Sequence, residues 1–248
     1  SGYLILDLDL GVSVNVAVTP GSGLPVVFMH GWGASSAAFL PAFERFASEG
    51  RTCIAPDLPP FGASGMPPID WSLSDYTSMM LSLLDRLGVE RAAFVGHSFG
   101  GRIAVDIASR ANRAERLVLV DAAGLRPRKG PIKRLRALRF RISRRLGLDT
   151  EKFYSADWRA LPERMRGVFA RVVAQDLSDR LSSIACPTLI VWGRHDRETP
   201  PYMAKRFLRG IKNSRLVMLD GGHFAYAERS MEFVAVLGDF LGRAWKQR

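Results

Sequence analysis

Residues 92–101, AAFVGHSFGG, combine a short apolar run with a glycine-rich turn. The run at 92–95 is typical of a buried parallel strand, and the residues after the turn have the pattern of a helix. Gly96, Ser98 and Gly100 form a G-x-S-x-G pattern between the two. In this context the pattern predicts a sharp strand–turn–helix elbow that presents the Ser98 hydroxyl, because a Cβ at either glycine would crowd the turn.

The rest of the chain alternates strand-like and helix-like segments. Residues 3–10 and 12–18 predict an antiparallel hairpin around Gly11. Further strands are predicted at residues 25–30, 52–55, 91–96, 117–120, 188–192 and 214–219, and helices at 39–47, 73–87, 100–111, 202–208 and 231–245. Ser72 is a candidate N-cap for the second helix. Strands that alternate with helices predict an α/β fold, a mostly parallel sheet with helices on both faces.

Residues 125–184 interrupt this alternation with helical patterns and no strand-like run. We interpret them as a helical lid inserted into a core of residues 1–124 and 185–248.

The positive charge of the chain is concentrated in the same segment. The 248-residue chain carries a net charge of +11, but residues 124–180 contain 16 Lys and Arg against 6 Asp and Glu, and the remainder contains 19 against 18.

The basic segment has two interpretations. Residues 126–145 contain ten Lys and Arg and no acidic residue, with apolar residues at helical spacing. Such a helix can lie on an anionic membrane surface, or it can cover an active site with its apolar stripe. We favour the lid interpretation and keep a weak membrane association as the second hypothesis. The near-neutral remainder argues against nucleic acid as a partner.

Several classes of protein are disfavoured by composition. No apolar run approaches the roughly 20 residues that span a bilayer. The N-terminal Ser1-Gly2-Tyr3 has none of the regions of a signal peptide, so we expect a cytoplasmic protein. Cys53 and Cys186 are the two cysteines, without zinc-ligand spacing, and we expect them to be free thiols. The sequence predicts neither a metal nor a cofactor.

Ser98 needs a base to become a nucleophile, and the chain has four histidines. His223 follows the last predicted strand, where a loop can deliver an imidazole to the carboxyl edge of the sheet, and we predict it as the base. His195 is the alternative. His30 ends the first buried strand and His97 lies within the elbow, so we expect both to shape the substrate site.

An acidic residue should orient the imidazole and stabilise its cation. Asp196 lies just beyond the strand at 188–192, and Asp121 ends the strand at 117–120. The order Ser98, Asp196, His223 is the one expected for a G-x-S-x-G hydrolase, so Asp196 is our prediction and Asp121 stays the alternative.

Acyl transfer also requires hydrogen-bond donors where the oxyanion forms. The backbone N–H of Phe99 stands at a helix start, where free donors and the helix dipole favour negative charge. The loop His30-Gly31-Trp32-Gly33 follows the strand at 25–30, and the N–H of Trp32 is our choice for the second donor.

Taken together, these motifs resemble those of the α/β-hydrolase-fold serine hydrolases. They are His30-Gly31-Trp32-Gly33, Gly96-His97-Ser98-Phe99-Gly100-Gly101, Trp192-Gly193-Arg194-His195-Asp196 and Gly222-His223, in that order. The resemblance covers nearly the whole chain except residues 125–184. It implies an acyl-enzyme on Ser98, formed and hydrolysed with His223 acting first as base and then as acid, and no cofactor.

The substrate is less constrained, because this fold hosts many reactions. The haloalkane dehalogenase and epoxide hydrolase branches have Asp where this chain has Ser98, which disfavours both. Our first hypothesis is a carboxylesterase for small to medium esters, with a pocket lined by Trp32, Phe99, Trp158 and Phe224.

Two other functions remain open. One is a carbon–carbon hydrolase or lyase on a carboxylate-bearing substrate. There, resemblance to the menaquinone-pathway synthase of this fold gives Arg102 the acid group to bind, whereas otherwise Arg102 is a surface residue on the first helical turn. The other is a ligand-binding or sensing protein with weak turnover.

Overall fold

An eight-stranded sheet runs through the part of the chain that the computed structural model describes, residues 2–128, 145 and 163–242. Its strands are β1 (Gly2–Leu8), β2 (Val12–Thr19), β3 (Ser22–Met29), β4 (Arg51–Pro56), β5 (Ala92–His97), β6 (Ala114–Val120), β7 (Thr188–Gly193) and β8 (Ser214–Leu219). The strand order is β1-β2-β4-β3-β5-β6-β7-β8.

The strand directions divide the sheet into two parts. β2 is antiparallel to both β1 and β4, and every other pair is parallel. The predicted N-terminal hairpin and the mostly parallel sheet are therefore confirmed. All six residues of β5 are buried, since this strand lies between β3 and β6 in the middle of the sheet. The carboxyl ends of β3, β5, β6, β7 and β8 meet at one edge, where loops of α/β sheets form binding sites.

Seven helices are described, together with single 3₁₀ segments at Ser36–Phe39 and Ser178–Ser183. The helices are α1 (Leu40–Ser48), α2 (Leu73–Arg86), α3 (Phe99–Arg110), α4 (Glu163–Ala174), α5 (Pro201–Gly210), α6 (Ala225–Glu228) and α7 (Ser230–Gly242). Ser72 caps α2 as expected, because its hydroxyl accepts the N–H of Asp75 while the Asp75 carboxylate accepts the N–H of Ser72.

Apolar side chains fill both faces of the sheet. On one face, α1 and α7 contribute Phe43, Phe46, Phe233 and Phe240 to a buried cluster with strand residues. On the other, helices α2, α3 and α5 contribute residues such as Tyr76, Ile103 and Phe207. The predicted helices on both faces are confirmed, and they hold the strand ends of the site in fixed positions.

The inserted segment is described only at residues 125–128, 145 and 163–184. Its helix α4 buries Met165, Val168 and Val172 in the core cluster to which α2 and α3 also contribute. Most of the basic run at 126–145, and Trp158, lie outside the described residues. Among the described helices, none combines the length and apolar character needed to cross a bilayer.

Candidate active site

Ser98 stands in a strained turn between the end of β5 and the start of α3. Its backbone has φ 48° and ψ −108°, a region that residues with a Cβ rarely adopt. The turn is held by three hydrogen bonds: the Ser98 N–H donates to Val120 O at 3.1 Å, and the Ser98 carbonyl accepts N–H groups of Arg102 and Ala123 at 3.2 and 3.0 Å. The strain is maintained by backbone contacts on both sides of the serine.

The glycines around Ser98 are required by space. A Cβ on Gly96 would overlap the carbonyl oxygen of Gly100, and a Cβ on Gly100 would overlap the carbonyl oxygen of Met29. Both obstacles are backbone atoms, which cannot rotate away as a side chain can. The Gly100 N–H also donates to His30 O at 3.1 Å. The elbow is therefore packed directly against the end of β3.

Asp196 and His223 are joined by a short hydrogen bond. The Nδ1 atom of His223 lies 2.9 Å from Oδ2 of Asp196, which also accepts the Thr199 hydroxyl at 2.6 Å. The other oxygen, Oδ1, accepts the N–H groups of Glu198 and Thr199 at 2.8 and 3.0 Å. Burial alone would raise the pKa of Asp196, but the hydrogen bonds from His223 and Thr199 hold it below its usual value. Asp196 is thus a carboxylate that fixes the imidazole.

The other ring nitrogen of His223 contacts a residue that was not predicted from the sequence. Its Nε2 atom lies 3.3 Å from Oε2 of Glu198. In the described part of the chain, no hydrogen bond joins Nε2 to the Ser98 hydroxyl. The structure thus brings Ser98, Asp196 and His223 to the same sheet edge, with Glu198 facing the nitrogen that would serve the serine.

Asp121, the alternative acid, lies in the same region but does not contact His223. Its side chain is fully buried, Oδ1 accepts the Gly193 N–H at 2.7 Å, and Oδ2 has no hydrogen-bond donor among the described residues. Burial, aided by the neighbouring Asp196, raises the pKa of Asp121 to about 9. Asp121 is therefore a neutral carboxylic acid at pH 7, next to the charged carboxylate of Asp196.

His30 and His97 are both buried and neutral. His30 donates from Nδ1 to Gly31 O at 2.7 Å and accepts the Leu58 N–H at Nε2, 2.8 Å away. His97 donates from Nε2 to the carbonyl oxygen of His223 at 2.8 Å. Burial lowers the pKa of His30 to about 4 and that of His97 to about 3, the latter helped by the nearby His223. In the structure both rings tie loops together beneath the site.

His195, the alternative base, is on the surface. Its side chain is 71% exposed and its Nε2 lies 3.1 Å from the Asp220 carboxylate. Its neighbour in sequence, Asp196, is instead 3% exposed. The structure therefore separates these adjacent residues, since only one of them faces the sheet edge.

The two backbone N–H groups chosen as oxyanion donors are those of Phe99, next to Ser98, and of Trp32, next to Gly31, whose Cβ position lies 3.4 Å from the Ser98 side chain. Phe99 is the first residue of α3, so its N–H has no partner within the helix. Trp32 lies in the loop after β3, and no described residue accepts its N–H. The indole of Trp32 packs edge-on against Phe61, Phe99 and Phe169 at centroid distances of 4.9, 5.0 and 5.1 Å. Its Nε1 is buried without an acceptor in the described chain.

Arg102 is not the surface residue that one interpretation expected. Its side chain is buried on the first turns of α3, and its guanidinium donates to the carbonyl oxygens of Gln175 and Val173. Burial lowers the pKa of Arg102 to about 10, so the group remains charged at pH 7. Arg102 thus connects the nucleophile helix with the end of α4.

Of the remaining predicted substrate residues, only Phe224 is described. Its ring is 48% exposed and lies 5.3 Å from the His223 ring and 5.2 Å from that of His97. It therefore forms part of the surface beside the imidazole. Trp158 lies outside the described residues, so its place in a pocket stays a prediction.

Thr199, Phe61 and Phe169 also belong to this region and were not predicted from the sequence. Thr199 is three residues after Asp196, a spacing at which a carboxylate accepts backbone and hydroxyl donors, and this signal could have identified it. The two phenylalanines come from separate loops and helices and had no local signal. Within residues 2–128 and 163–242, no group of three or more His, Cys, Asp or Glu side chains is arranged to hold a metal ion.

Comparisons with known proteins agree with this fold. Residues 26–236 match the model of the alpha/beta hydrolase family, and the chain belongs to that family. It is 31% identical over 240 residues to a putative non-heme haloperoxidase of Mycobacterium phage D29, covering 86% of this chain and 85% of the relative. The protein is therefore a hydrolase of the α/β class.

Two further relatives cover almost the full chain. A 2-hydroxy-6-oxo-6-phenylhexa-2,4-dienoate hydrolase of Comamonas testosteroni is 30% identical over 254 residues, 89% of this chain and 88% of that protein. The crystal structure of a hydrolase from Pseudomonas aeruginosa PA01 superimposes with a TM-score of 0.77 at 26% identity, covering 97% of this chain and 98% of the other. The relatives thus include enzymes of different reaction types on one fold.

Proposed function

We propose that this protein is a serine hydrolase that cleaves carboxylic esters of small to medium size through an acyl-enzyme on Ser98. One observation carries the proposal: a serine in a strained turn at a helix start shares a sheet edge with an imidazole held by a buried carboxylate. A turn with φ 48° costs stability, and such strain is retained where a side chain must be presented for chemistry.

The first half of the reaction forms the acyl-enzyme. Nε2 of His223 leaves Glu198, turns to Ser98 and takes the hydroxyl proton while Oγ attacks the ester carbonyl carbon. The backbone N–H groups of Trp32 and Phe99 hold the resulting oxyanion, a contribution of about 2.7–4 kcal/mol each in comparable sites. Nε2 then gives the proton to the alcohol oxygen, the carbon–oxygen bond breaks, and the alcohol leaves.

The second half hydrolyses the acyl-enzyme with the same groups. A water molecule gives a proton to Nε2 of His223 and attacks the acyl carbon. Collapse of the second tetrahedral intermediate returns the proton to Ser98 Oγ and releases the acid. Throughout, Asp196 accepts Nδ1–H, which leaves Nε2 as the nitrogen that exchanges protons and stabilises the imidazolium.

The test is a panel of p-nitrophenyl esters, lactones, amides and β-keto acids with the parent and Ser98→Ala. We expect ester turnover by the parent, a fall of at least about 10³-fold in the variant, and a covalent Ser98 adduct with a fluorophosphonate by mass spectrometry. Equal turnover by parent and variant would contradict the proposal. Binding of esters without turnover would favour a ligand-binding or sensing protein.

A second candidate is a carbon–carbon hydrolase that acts on a carboxylate-bearing substrate. The identity with the Comamonas testosteroni dienoate hydrolase favours it. In this alternative Arg102 binds the substrate carboxylate, for which the guanidinium would have to leave the carbonyls of Gln175 and Val173. We therefore rank it below ester hydrolysis.

Arg102→Met distinguishes the two roles of the arginine. A carboxylate-binding Arg102 predicts a rise of KM for acidic substrates alone, whereas an arginine that anchors α4 predicts equal changes for neutral and acidic substrates. Lys205→Met, which removes an exposed charge on α5, is the control for net charge. A selective KM effect together with cleavage of a dienoate would replace our first proposal by the second.

A further inference from the structure

Glu198 lies against the reactive nitrogen of the predicted base without being part of the predicted triad. Its Oε2 is 3.3 Å from Nε2 of His223, and its side chain is 59% exposed. Its backbone N–H donates to Oδ1 of Asp196 at 2.8 Å. The carboxylate that orients His223 therefore also anchors the backbone of Glu198, which keeps its side chain within reach of the imidazole.

The contact is favourable or unfavourable according to whether Nε2 carries a proton. With Nδ1–H donated to Asp196, a neutral His223 presents a lone pair at Nε2, and a carboxylate would be repelled there. A proton on Nε2 removes this repulsion and makes the contact an ion pair. Among the described residues, His223 thus has a carboxylate at each ring nitrogen, Asp196 at Nδ1 and Glu198 at Nε2.

The position of Glu198 also indicates which part of an ester substrate lies next to it. In ester cleavage Nε2 carries its proton to the oxygen of the departing alcohol, so a group at hydrogen-bonding distance from Nε2 lies next to that alcohol. The alcohol must displace Glu198 from Nε2 before it can accept the proton. After displacement, the carboxylate remains within reach of the alcohol, because the backbone of Glu198 is held by Asp196.

We propose that Glu198 is a specificity-determining residue that selects esters by the charge of the alcohol, favouring cationic over neutral and neutral over anionic alcohols. This inference rests on the proposed ester hydrolysis. The cation on the nucleophile helix, Arg102, does not offset Glu198, because it is buried and engaged with the carbonyls of Gln175 and Val173.

The expected size of this charge selectivity follows from the exposure of the Glu198 side chain. Charge pairs that include an exposed carboxylate are screened by water and salt, so we expect about a two- to fivefold change in kcat/KM for each unit charge on the alcohol. The effect should shrink as the salt concentration rises. A purely structural role for Glu198 would change all esters by the same factor.

The experiment uses three aryl acetates with one acyl group and different alcohols: phenyl, 3-(trimethylammonio)phenyl and 3-carboxyphenyl acetate. Each parent kcat/KM is divided by the value for Glu198→Gln, which cancels the intrinsic reactivity of each ester. We expect this ratio to be highest for the cation and lowest for the anion. Since all three form the same acetyl-enzyme, their kcat values should converge wherever deacylation limits the rate.

Glu44→Gln is the matched control, because Glu44 is an exposed carboxylate on α1. It should leave the three ratios equal, and melting temperatures should show that both variants fold. Ratios for Glu198→Gln that do not depend on alcohol charge, with turnover intact, overturn this inference alone. Absence of turnover of every ester by the parent overturns the proposed function, and this inference with it.

Discussion

The hydroxyl of Thr199 lies 2.6 Å from Oδ2 of Asp196, the oxygen that also accepts Nδ1 of His223. Thr199 is therefore placed to orient the carboxylate that orients the imidazole. Hydrogen bonds to charged groups are stronger than those between neutral groups, so the loss of this one should weaken the set of contacts that orients the carboxylate.

Thr199→Val should lower kcat/KM for esters by about tenfold, because valine keeps the shape of threonine but cannot donate to Asp196. Steady-state kinetics measure the loss. Thr199→Ser, which restores the hydroxyl, is the control and should recover most of the activity. Equal kcat/KM in the valine and serine variants would show that the hydrogen bond does not matter.

Ser98→Gly should stabilise the protein while abolishing activity. Glycine adopts φ 48° without the Cβ strain that serine bears, so we expect a rise of about 1 kcal/mol in the free energy of unfolding over Ser98→Ala. Urea unfolding of the two inactive variants measures the difference. A glycine variant less stable than the alanine variant would mean that the turn is not strained.

Gly100→Ala should destabilise the fold by about 1–3 kcal/mol or more, because the new Cβ would meet the carbonyl oxygen of Met29. Gly238→Ala in α7 is the matched control, since its new Cβ would meet only the Phe46 ring at 3.7 Å. Alanine in a helix interior is better than glycine by about 0.5–1 kcal/mol. Chemical unfolding should therefore give opposite signs, and two substitutions of the same sign would contradict the packing argument.

Asp121→Asn tests the neutral state of the buried carboxyl. With a pKa of about 9 in the folded protein, Asp121 holds a proton that the unfolded chain releases near pH 4. Its contribution to stability is complete below pH 4 and is lost as the pH rises toward 9. The parent should therefore lose stability relative to the asparagine variant over that range.

The measurement for Asp121 is the difference in melting temperature between parent and variant at a series of pH values. Asparagine keeps an oxygen for the Gly193 N–H, so the two proteins share their hydrogen bonds at low pH. A constant difference between pH 4 and 9 would show that Asp121 is already ionised in the folded state.

Much of the fold followed from local patterns. The strand β5, the elbow at Ser98 and the helix α3 are adjacent in sequence, so the apolar run, the glycines and the helical spacing sufficed to predict them. The cap at Ser72 was predictable for the same reason. The antiparallel hairpin of β1 and β2 likewise joins neighbouring segments.

The side-chain contacts of the site were harder to predict from the sequence. Asp121 and Asp196 both follow strand ends, and residue order favoured Asp196 without excluding Asp121. The burial of Arg102 and its bonds to Gln175 and Val173 depend on how α4 packs, which no local pattern contains.

By itself, the sequence determined the order of strands and helices along the chain, the elbow that presents Ser98, and the family to which the chain belongs. Each of these depends on residues that are neighbours in the sequence. Only the tertiary structure decided that His223 contacts Asp196 from 27 residues away and meets Glu198 at its other nitrogen. Such contacts depend on the packing of separate loops at the sheet edge, where a rotation of one side chain changes its partner.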